Sequence, residues 1–507
     1  MKRVENNIFG IKRMLILLVA FSMFSACEER WEEMNTNPNQ LSNLSDEYLF
    51  TNAVRSTFMN ERERFDIDFG GQFGHVWIGN SWNREADKYN DIQSQGDIYE
   101  RVFHGIYNGP IRNIVEVLQL TGPGGNFENQ AKYAQASVIA ALNFSRLTDF
   151  FGDIPYSEGG MGKYDILKPV YDDQEEMYSD MVARLQEAIT TLKAAGDSEI
   201  YSSTEDPVFA GDRDKWIRFA NSLRLRLAMH ARFVDPGTYE NVIDECLGEA
   251  LIEDNSQNVK LEMQDSNNPS LYNPWYNKII DYQAGLYTMN WSEKFIDALK
   301  ATNDPRLAFY ATKNNDDEYL GMPNGLEDTH YAGWSRSNSS VATAEFLAKD
   351  QPMYHMCAAE IYLLRAEAAL FNLGPGDANE LYQTGIEMAM DQWSIEDSLL
   401  TNFLSDEAEA SLNGDQENMF RQIATQLWIS FVPNAFESWT TIRRTGYPVI
   451  EQRTSDKYSK GVTDGYLPSR IKYPFTVEQS VNGENQEAAI ANMGGDEIDL
   501  RIWWDVR

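Results

Sequence analysis

Three stretches of the chain gather flat aromatic rings among short polar side chains. Residues 73–90 carry Trp77, Trp82 and Tyr89, interleaved with Asn80, Asn83, Arg84, Asp87 and Asn90. Residues 271–291 carry Tyr272, Trp275, Tyr276, Tyr282 and Trp291 among Asn and Asp, and residues 331–336 add Tyr331, Trp334 and Arg336. The chemistry open to such a mixture is capture. A sugar ring has an apolar C–H face that packs on an indole or a phenol. Its hydroxyls pair with carboxylate, amide and guanidinium groups. No helical periodicity sends these rings to a core, although loop aromatics also serve as plugs beneath a loop. Trp77, Trp82, Asn83, Arg84, Tyr89, Tyr272, Trp275, Tyr276, Tyr331, Trp334 and Arg336 are the candidate ligand-binding residues.

Other reactive groups have structural explanations. Asp153 in FFGDIP sits where Gly152 ends a helix and Pro155 starts the next segment, so its carboxylate serves turn amides. The five histidines (His75, His104, His230, His330 and His355) are scattered, with no H-E-x-x-H or H-x-H spacing for a metal. GPGG (122–125) lacks the strand before it and the lysine after it that a phosphate cradle needs. No G-x-S-x-G nucleophile elbow is present. Acidic runs NNDDE (314–318) and DRD (212–214) lack the twelve-residue calcium loop. A structural calcium ion is compatible with them but not indicated. Arg443 and Arg444 in RRTGYP are expected to pair with helix carboxylates such as Glu437. Arg218, Arg224 and Arg226 are expected to pair in the same way, as is Arg365 with Glu360 and Glu367. No catalytic residue, metal ligand or cofactor is assigned.

The amino terminus carries a separate signal. Lys2, Arg3, Lys12 and Arg13 precede the apolar run MLILLVAFSMF, followed by Ser25, Ala26 and Cys27. A basic region, a short apolar run and small residues make an export signal, and the run is too short to span a bilayer. A cysteine at that place marks a bacterial lipoprotein, with Cys27 lipidated and first in the mature chain. Residues 27–46 read as a polar flexible tether. The formal net charge is −35, which repels nucleic-acid phosphates and anionic headgroups. Cys246 and Cys357 fall in helical patterns and are expected to be buried free thiols.

Helices dominate the elements that must position the loops. Leu49, Ala53 and Phe58 share a face behind Asp46. Residues 98–120, 127–151, 173–195, 214–233, 354–372 and 419–431 show helical spacing. Small residues such as Ala140, Ala141, Ala366 and Ala369 permit close crossings, giving helix-hairpin packing without a clean 34-residue repeat. Residues 65–97 and 264–345 are expected to be long irregular loops, and loops of that length rich in Trp and Tyr are usually functional.

Several segments in this order resemble the SusD/RagB family of outer-membrane nutrient-binding lipoproteins, in the branch with an MNTNPN-type start. They are WEEMNTNPN (31–39), AALNFSRLTDFFGDIPYSE (140–158), KPVYDDQEEMYSDMVARL (168–185), DKWIRFANSLRLRLAMHAR (214–232) and DPRL (304–307). GMPNGL (321–326), AAEIYLLRAEAAL (358–370), LWISFVPNAFESWTTIRRTGYP (427–448), RIKYP (470–474) and WWD (503–505) complete the set. The resemblance implies a mainly α fold, with tetratricopeptide-like helix pairs as scaffold and a loop-rich ligand-binding part. It implies one domain over 47–507, after a signal peptide at 1–26. It further implies a non-catalytic lid over a SusC-like TonB-dependent transporter barrel, binding oligosaccharide or peptide and anchored to outer-membrane lipid through Cys27. A lid with a purely structural role fits the same resemblance. Glu28 and Glu29 are similar to the acidic signal that carries such lipoproteins to the cell exterior.

Overall fold

The computed structural model describes residues 45–79, 84–91, 98–276, 289–335 and 337–507. The expected signal peptide, Cys27 and nearly all of the tether lie outside those residues, as do Trp82, Asn83, Tyr282 and Arg336. Asp46–Arg507 form one unit.

The scaffold consists of α1 (Asp46–Met59), α2 (Ile98–Ile106), α3 (Arg112–Thr121), α4 (Gln130–Phe151), α5 (Gln174–Ala194) and α6 (Arg213–Ala231). It continues with α7 (Pro236–Leu247), α8 (Glu293–Ala301), α9 (Ala358–Leu370), α10 (Ala378–Asp391), α11 (Gln416–Ser430), α12 (Ala435–Thr445) and α13 (Val477–Met493). Short polar side chains start many of them. Asn129, Asp173, Asp212, Asp235, Asp377 and Asp415 each accept a hydrogen bond from a backbone N–H of the first turn. Neighbours in sequence pack as hairpins: α4 on α5, α6 on α7, α9 on α10 and α11 on α12. The mainly helical architecture is the expected one. Gly152, at φ +89°, ends α4 in a conformation that favours glycine. Asp153 then accepts from the Gln174 amide at 3.1 Å and from Asn492 at 2.9 Å, a turn role. Cys246 and Cys357 are buried and free.

The boundaries differ from expectation in four places. The helical pattern over 98–120 breaks into α2, a π-helical turn at Tyr107–Ile111, and α3. Gly109 leaves helical geometry there (φ −99°, ψ −105°), and Pro110 has no N–H to offer. Residues 354–356 are strand, because β4 (Met353–Met356) pairs antiparallel with β2 (Val259–Leu261). The start of the 65–97 stretch is a π-helix, Glu63–Gly70, whose Phe65, Ile67 and Phe69 are buried. The 264–345 stretch holds β3 (Met289–Trp291), α8 and a short helix, Arg306–Tyr310. Short elements of this size have too few residues to show a period.

An ionic lattice lies inside the helical body. Arg226 of α6 pairs with Glu360 of α9 at 2.5 and 2.6 Å, and with Glu437 of α12 at 3.4 Å. Burial works against the Arg226 charge, but Glu360 and Glu437 outweigh it and hold the guanidinium above its ordinary value. Burial pushes Glu360 upward against the pull of Arg226. The two short bonds mark an ionised pair. Arg62 meets Asp66 at 2.9 Å. Arg444 does not pair with Glu437, but takes Glu367 at 2.6 and 2.7 Å. Arg443 donates to the carbonyls of Asp149 and Ser469 and covers Trp439. Glu437 faces Arg226 and His230 because it lies in the first turn of α12, whereas both arginines lie in its last turn. Arg365 stacks on Tyr362, since Glu360 and Glu367 are committed elsewhere.

His355 is fixed as a neutral ring. The Thr57 carbonyl, 3.1 Å from Nε2, requires a donor there; the Arg62 guanidinium, 3.1 Å from Nδ1, requires an acceptor. Burial, then Arg62 and Arg146, hold its pKa well below the usual histidine value. A depressed histidine contributes stability above its unfolded pKa, and that stability is lost as pH falls toward the folded one. Below about pH 6.5, unfolding should therefore take up a proton at His355, at about 1.4 kcal/mol per pH unit. Melting measured from pH 7.5 downward should show a steeper decline in the wild type than in His355→Gln. Equal slopes would reject the assignment.

Candidate functional site

The π-helix runs through a short turn, Gly71–Phe73, into β1 (Trp77–Gly79). β1 pairs antiparallel with β3, setting Trp77 opposite Trp291 and Ile78 opposite Asn290. Ile78 joins Met322 and Leu326 in a small apolar base, over which Tyr331, Trp334 and Tyr458 pack, each partly buried. Tyr331 and Trp334 come from one segment and Tyr458 from another, and all three share one foundation, so their positions are mutually constrained.

Arg84 organises one side of the patch. Its guanidinium lies 3.5 Å from the Tyr331 ring centre, donates to Asp328 at 2.9 Å and also donates to the Leu326 carbonyl. Lys88 reaches Glu85 at 3.1 Å and Asp328 at 3.5 Å. Asp328 is exposed, and Lys88, with Arg84 beside it, holds its carboxyl below the usual range. The result is a stacked cation on a phenol with an ionised carboxylate at its edge. That arrangement offers a flat surface together with hydrogen-bond acceptors.

Asp87 holds the loops together from beneath. Its carboxylate accepts from Asn324 Nδ2 at 2.8 Å and from the Gly325 amide at 2.7 Å, and its carbonyl accepts from Arg453 at 2.7 Å. Burial raises the Asp87 carboxyl, while Arg453 and the hydrogen bonds pull it down. Gly325 has φ +74°, which strains any side chain, and a Cβ there would lie 2.2 Å from the Arg453 guanidinium carbon, so a larger residue would have to displace Arg453. Arg453 in turn covers Tyr89 at 3.5 Å, and the Tyr89 hydroxyl meets His75 Nε2 at 2.8 Å. Burial pushes the Tyr89 phenol up to about 12.

Four of the candidate rings are enclosed. Trp77 is fully buried, edge-on to Trp275 and Trp291, with its indole N–H on the Ile67 carbonyl. Tyr89 is fully buried, and Tyr272 and Trp275 nearly so. Their faces are taken by protein neighbours, so they support the loops and present no platform. Tyr276 stays half-buried beside Tyr272, with Lys349 near both rings. Arg84 is buried, but Tyr331 and Trp334 remain partly open and meet it in one patch. The sequence reading missed Tyr458, Arg453 and His75 as participants. Tyr458 stands in RTSDKYSK (453–460), a polar run with a single ring, and the only available signal was that isolation. Among the described residues no group of His, Cys, Asp and Glu could hold a metal ion, and no helix is long and apolar enough to cross a membrane.

The chain belongs to the SusD-like family described as "Starch-binding associating with outer membrane", whose family model matches residues 38–474. The match begins after WEEMNTN, so that opening motif is not part of it. The fold is similar to that of a chitin-binding protein, with 26% identity over 91% of this chain and 99% of that one, at a TM-score of 0.77. A SusD homologue from Bacteroides uniformis shares 25% identity over 92% of this chain and 100% of its own, with a TM-score of 0.77. A chitin-binding SusD homologue from Flavobacterium johnsoniae matches in fold at 23% identity, over 91% and 99% of the two chains, with a TM-score of 0.77. No curated protein matches the chain.

Proposed function

We propose that this protein captures an oligosaccharide at the cell surface and passes it to a partner TonB-dependent transporter without cleaving it. The observation that carries the reading is the cluster of Tyr331, Trp334 and Tyr458 on one apolar base, braced by Arg84 stacked on Tyr331. Three partly open rings with a carboxylate at the margin suit stacking on sugar faces and pairing with hydroxyls. A family described as starch-binding, and a 26%-identical relative named as chitin-binding, support a polysaccharide-derived ligand. Trp82, Asn83 and Arg336 remain candidates on sequence alone and lie outside the described residues. Lipidation of Cys27 would make the tether the membrane contact and place the protein on the outer membrane facing the cell exterior.

Affinity electrophoresis against starch- and chitin-derived oligosaccharides tests this. Trp334→Ala is expected to weaken binding about tenfold, the scale of one lost stacking contact, with unchanged melting. Trp77→Ala should instead lower the melting temperature, because it removes a core side chain. Full binding by a Trp334→Ala, Tyr331→Ala double variant would reject the patch.

A further inference from the structure

The aromatic patch opens into a cleft of about 920 Å³, at the upper end of the range for a ligand-binding cleft. One wall is a single face of α8. Glu293, Lys294, Asp297, Ala298 and Ala301 line it, a spacing that keeps them on one side of the helix. From Glu293 to Ala301 that face advances about 12 Å. The opposite wall is the chain from Tyr447 to Ser455, with Tyr458 beyond it.

Both walls lead away from the patch. α8 begins at the apolar base, because the Glu293 N–H donates to the Met322 carbonyl at 2.8 Å. Tyr458 packs on that same base and also lines the cleft. At the far end of α8, Asn303 donates to Glu407 at 2.8 Å, and Glu409, paired with Arg421, lines the cleft. Tyr447 stands at that end too. Its hydroxyl donates to Glu417 at 2.8 Å, one turn before Arg421 on α11, and its ring meets Phe420 edge-on. The ring is half-buried and lines the cleft.

The groove therefore has a partly open tyrosine at each end, with Tyr331 and Trp334 beside the nearer one. Between them Ala298 and Ala301 leave space on one wall, and Thr454 and Ser455 supply hydroxyls on the other. Separated rings with room and short polar groups between them suit a chain of linked sugars better than a single one.

We propose that the ligand is a linear oligosaccharide lying along α8, with one sugar on the patch and a distal one on Tyr447. The site then selects chain length, since a disaccharide meets only the patch. This rests on the reading of the patch as a glycan site, and the experiment separates the two.

Calorimetry should compare the disaccharide, tetrasaccharide and hexasaccharide of α-1,4-linked glucose, and the same lengths of β-1,4-linked N-acetylglucosamine. In the series that binds, the hexasaccharide should bind about tenfold more tightly than the disaccharide, the scale of a second stacking contact. Tyr447→Ala should bring the hexasaccharide down to the disaccharide affinity. Ala298→Leu with Ala301→Leu narrows the groove with good helix formers and adds no flat ring, so it should do the same with unchanged melting. Equal affinity at every length, a length advantage that survives both variants, or binding of neither series would overturn the proposal. Trp334→Ala should weaken disaccharide and hexasaccharide alike. Disaccharide affinity left intact by Trp334→Ala removes the patch reading. A length-independent affinity that Trp334→Ala still lowers removes the groove and leaves the patch.

Discussion

Glu360→Ala should lower stability by about 3–5 kcal/mol, the usual cost of stranding a buried charge. Glu360 is 2% exposed and holds Arg226 through two hydrogen bonds of 2.5 and 2.6 Å. Without it, Arg226 keeps only Glu437 at 3.4 Å and the His355 carbonyl at 2.7 Å. Two further guanidinium groups, Arg62 and Arg146, lie in the same charged interior, where burial already drives Arg146 down to about 9. An unpaired arginine cannot be relieved there by solvent. Denaturant unfolding monitored by tryptophan fluorescence measures the loss directly. Glu360→Gln keeps one acceptor and should cost less. A double change, Arg226→Met with Glu360→Leu, removes both charges and should recover much of the loss, because packed apolar groups replace a buried pair at little net cost. A Glu360→Ala loss below about 1 kcal/mol would show that the pair does not hold the helices together.

That lattice is the part of the molecule the sequence described best in kind and worst in detail. Charged residues on apolar helix faces announced buried pairs, since such side chains stay inside only when paired. Which carboxylate meets which arginine depends on helix crossings, and spacing along one chain does not encode them. Arg444 therefore went to Glu367 on another helix, and Glu437 to Arg226. The long helices were legible because their apolar faces repeat over several turns and their caps are Asn or Asp. The broken helix at Gly109–Pro110 was written in the sequence as a glycine and a proline, and a pattern continuing on both sides obscured it.

The binding loops were legible only as a composition. Trp77 and Trp334 have similar neighbours in sequence, yet the first is fully buried and the second partly open. The difference arises because β1 pairs with β3 and carries Trp77 inward against Trp275 and Trp291, a contact between residues some 200 positions apart. Tyr331, Trp334 and Arg84 converge because Leu326 and Met322 meet Ile78, again a long-range event. Ring type identified the chemistry, and tertiary pairing decided which rings could use it.

Asp87→Ala should remove ligand binding by about a hundredfold while leaving every ring of the patch in the sequence. The Asp87 carboxylate accepts from Asn324 and from the Gly325 amide, and its backbone carbonyl holds Arg453. Those contacts fasten the start of the segment that carries Leu326, Asp328, Tyr331 and Trp334. Alanine leaves the Asn324 amide and the Gly325 N–H without their acceptor, at about 1–3 kcal/mol for each buried group. The segment would then be free to leave the base formed by Ile78 and Met322. Asn at this position should do little better. Its amide offers one acceptor where the protein presents two donors, so an N–H would face an N–H. Calorimetry with the tightest-binding oligosaccharide, read beside the melting temperature, distinguishes positioning from unfolding. A positioning role predicts a large loss of affinity in both variants with a melting shift of only a few degrees, because the patch is a small peripheral cluster while the lattice and helix hairpins hold the body. Wild-type affinity in Asp87→Ala would show that the 322–334 segment keeps its place without the carboxylate, and that the rings are aligned by their shared apolar base alone.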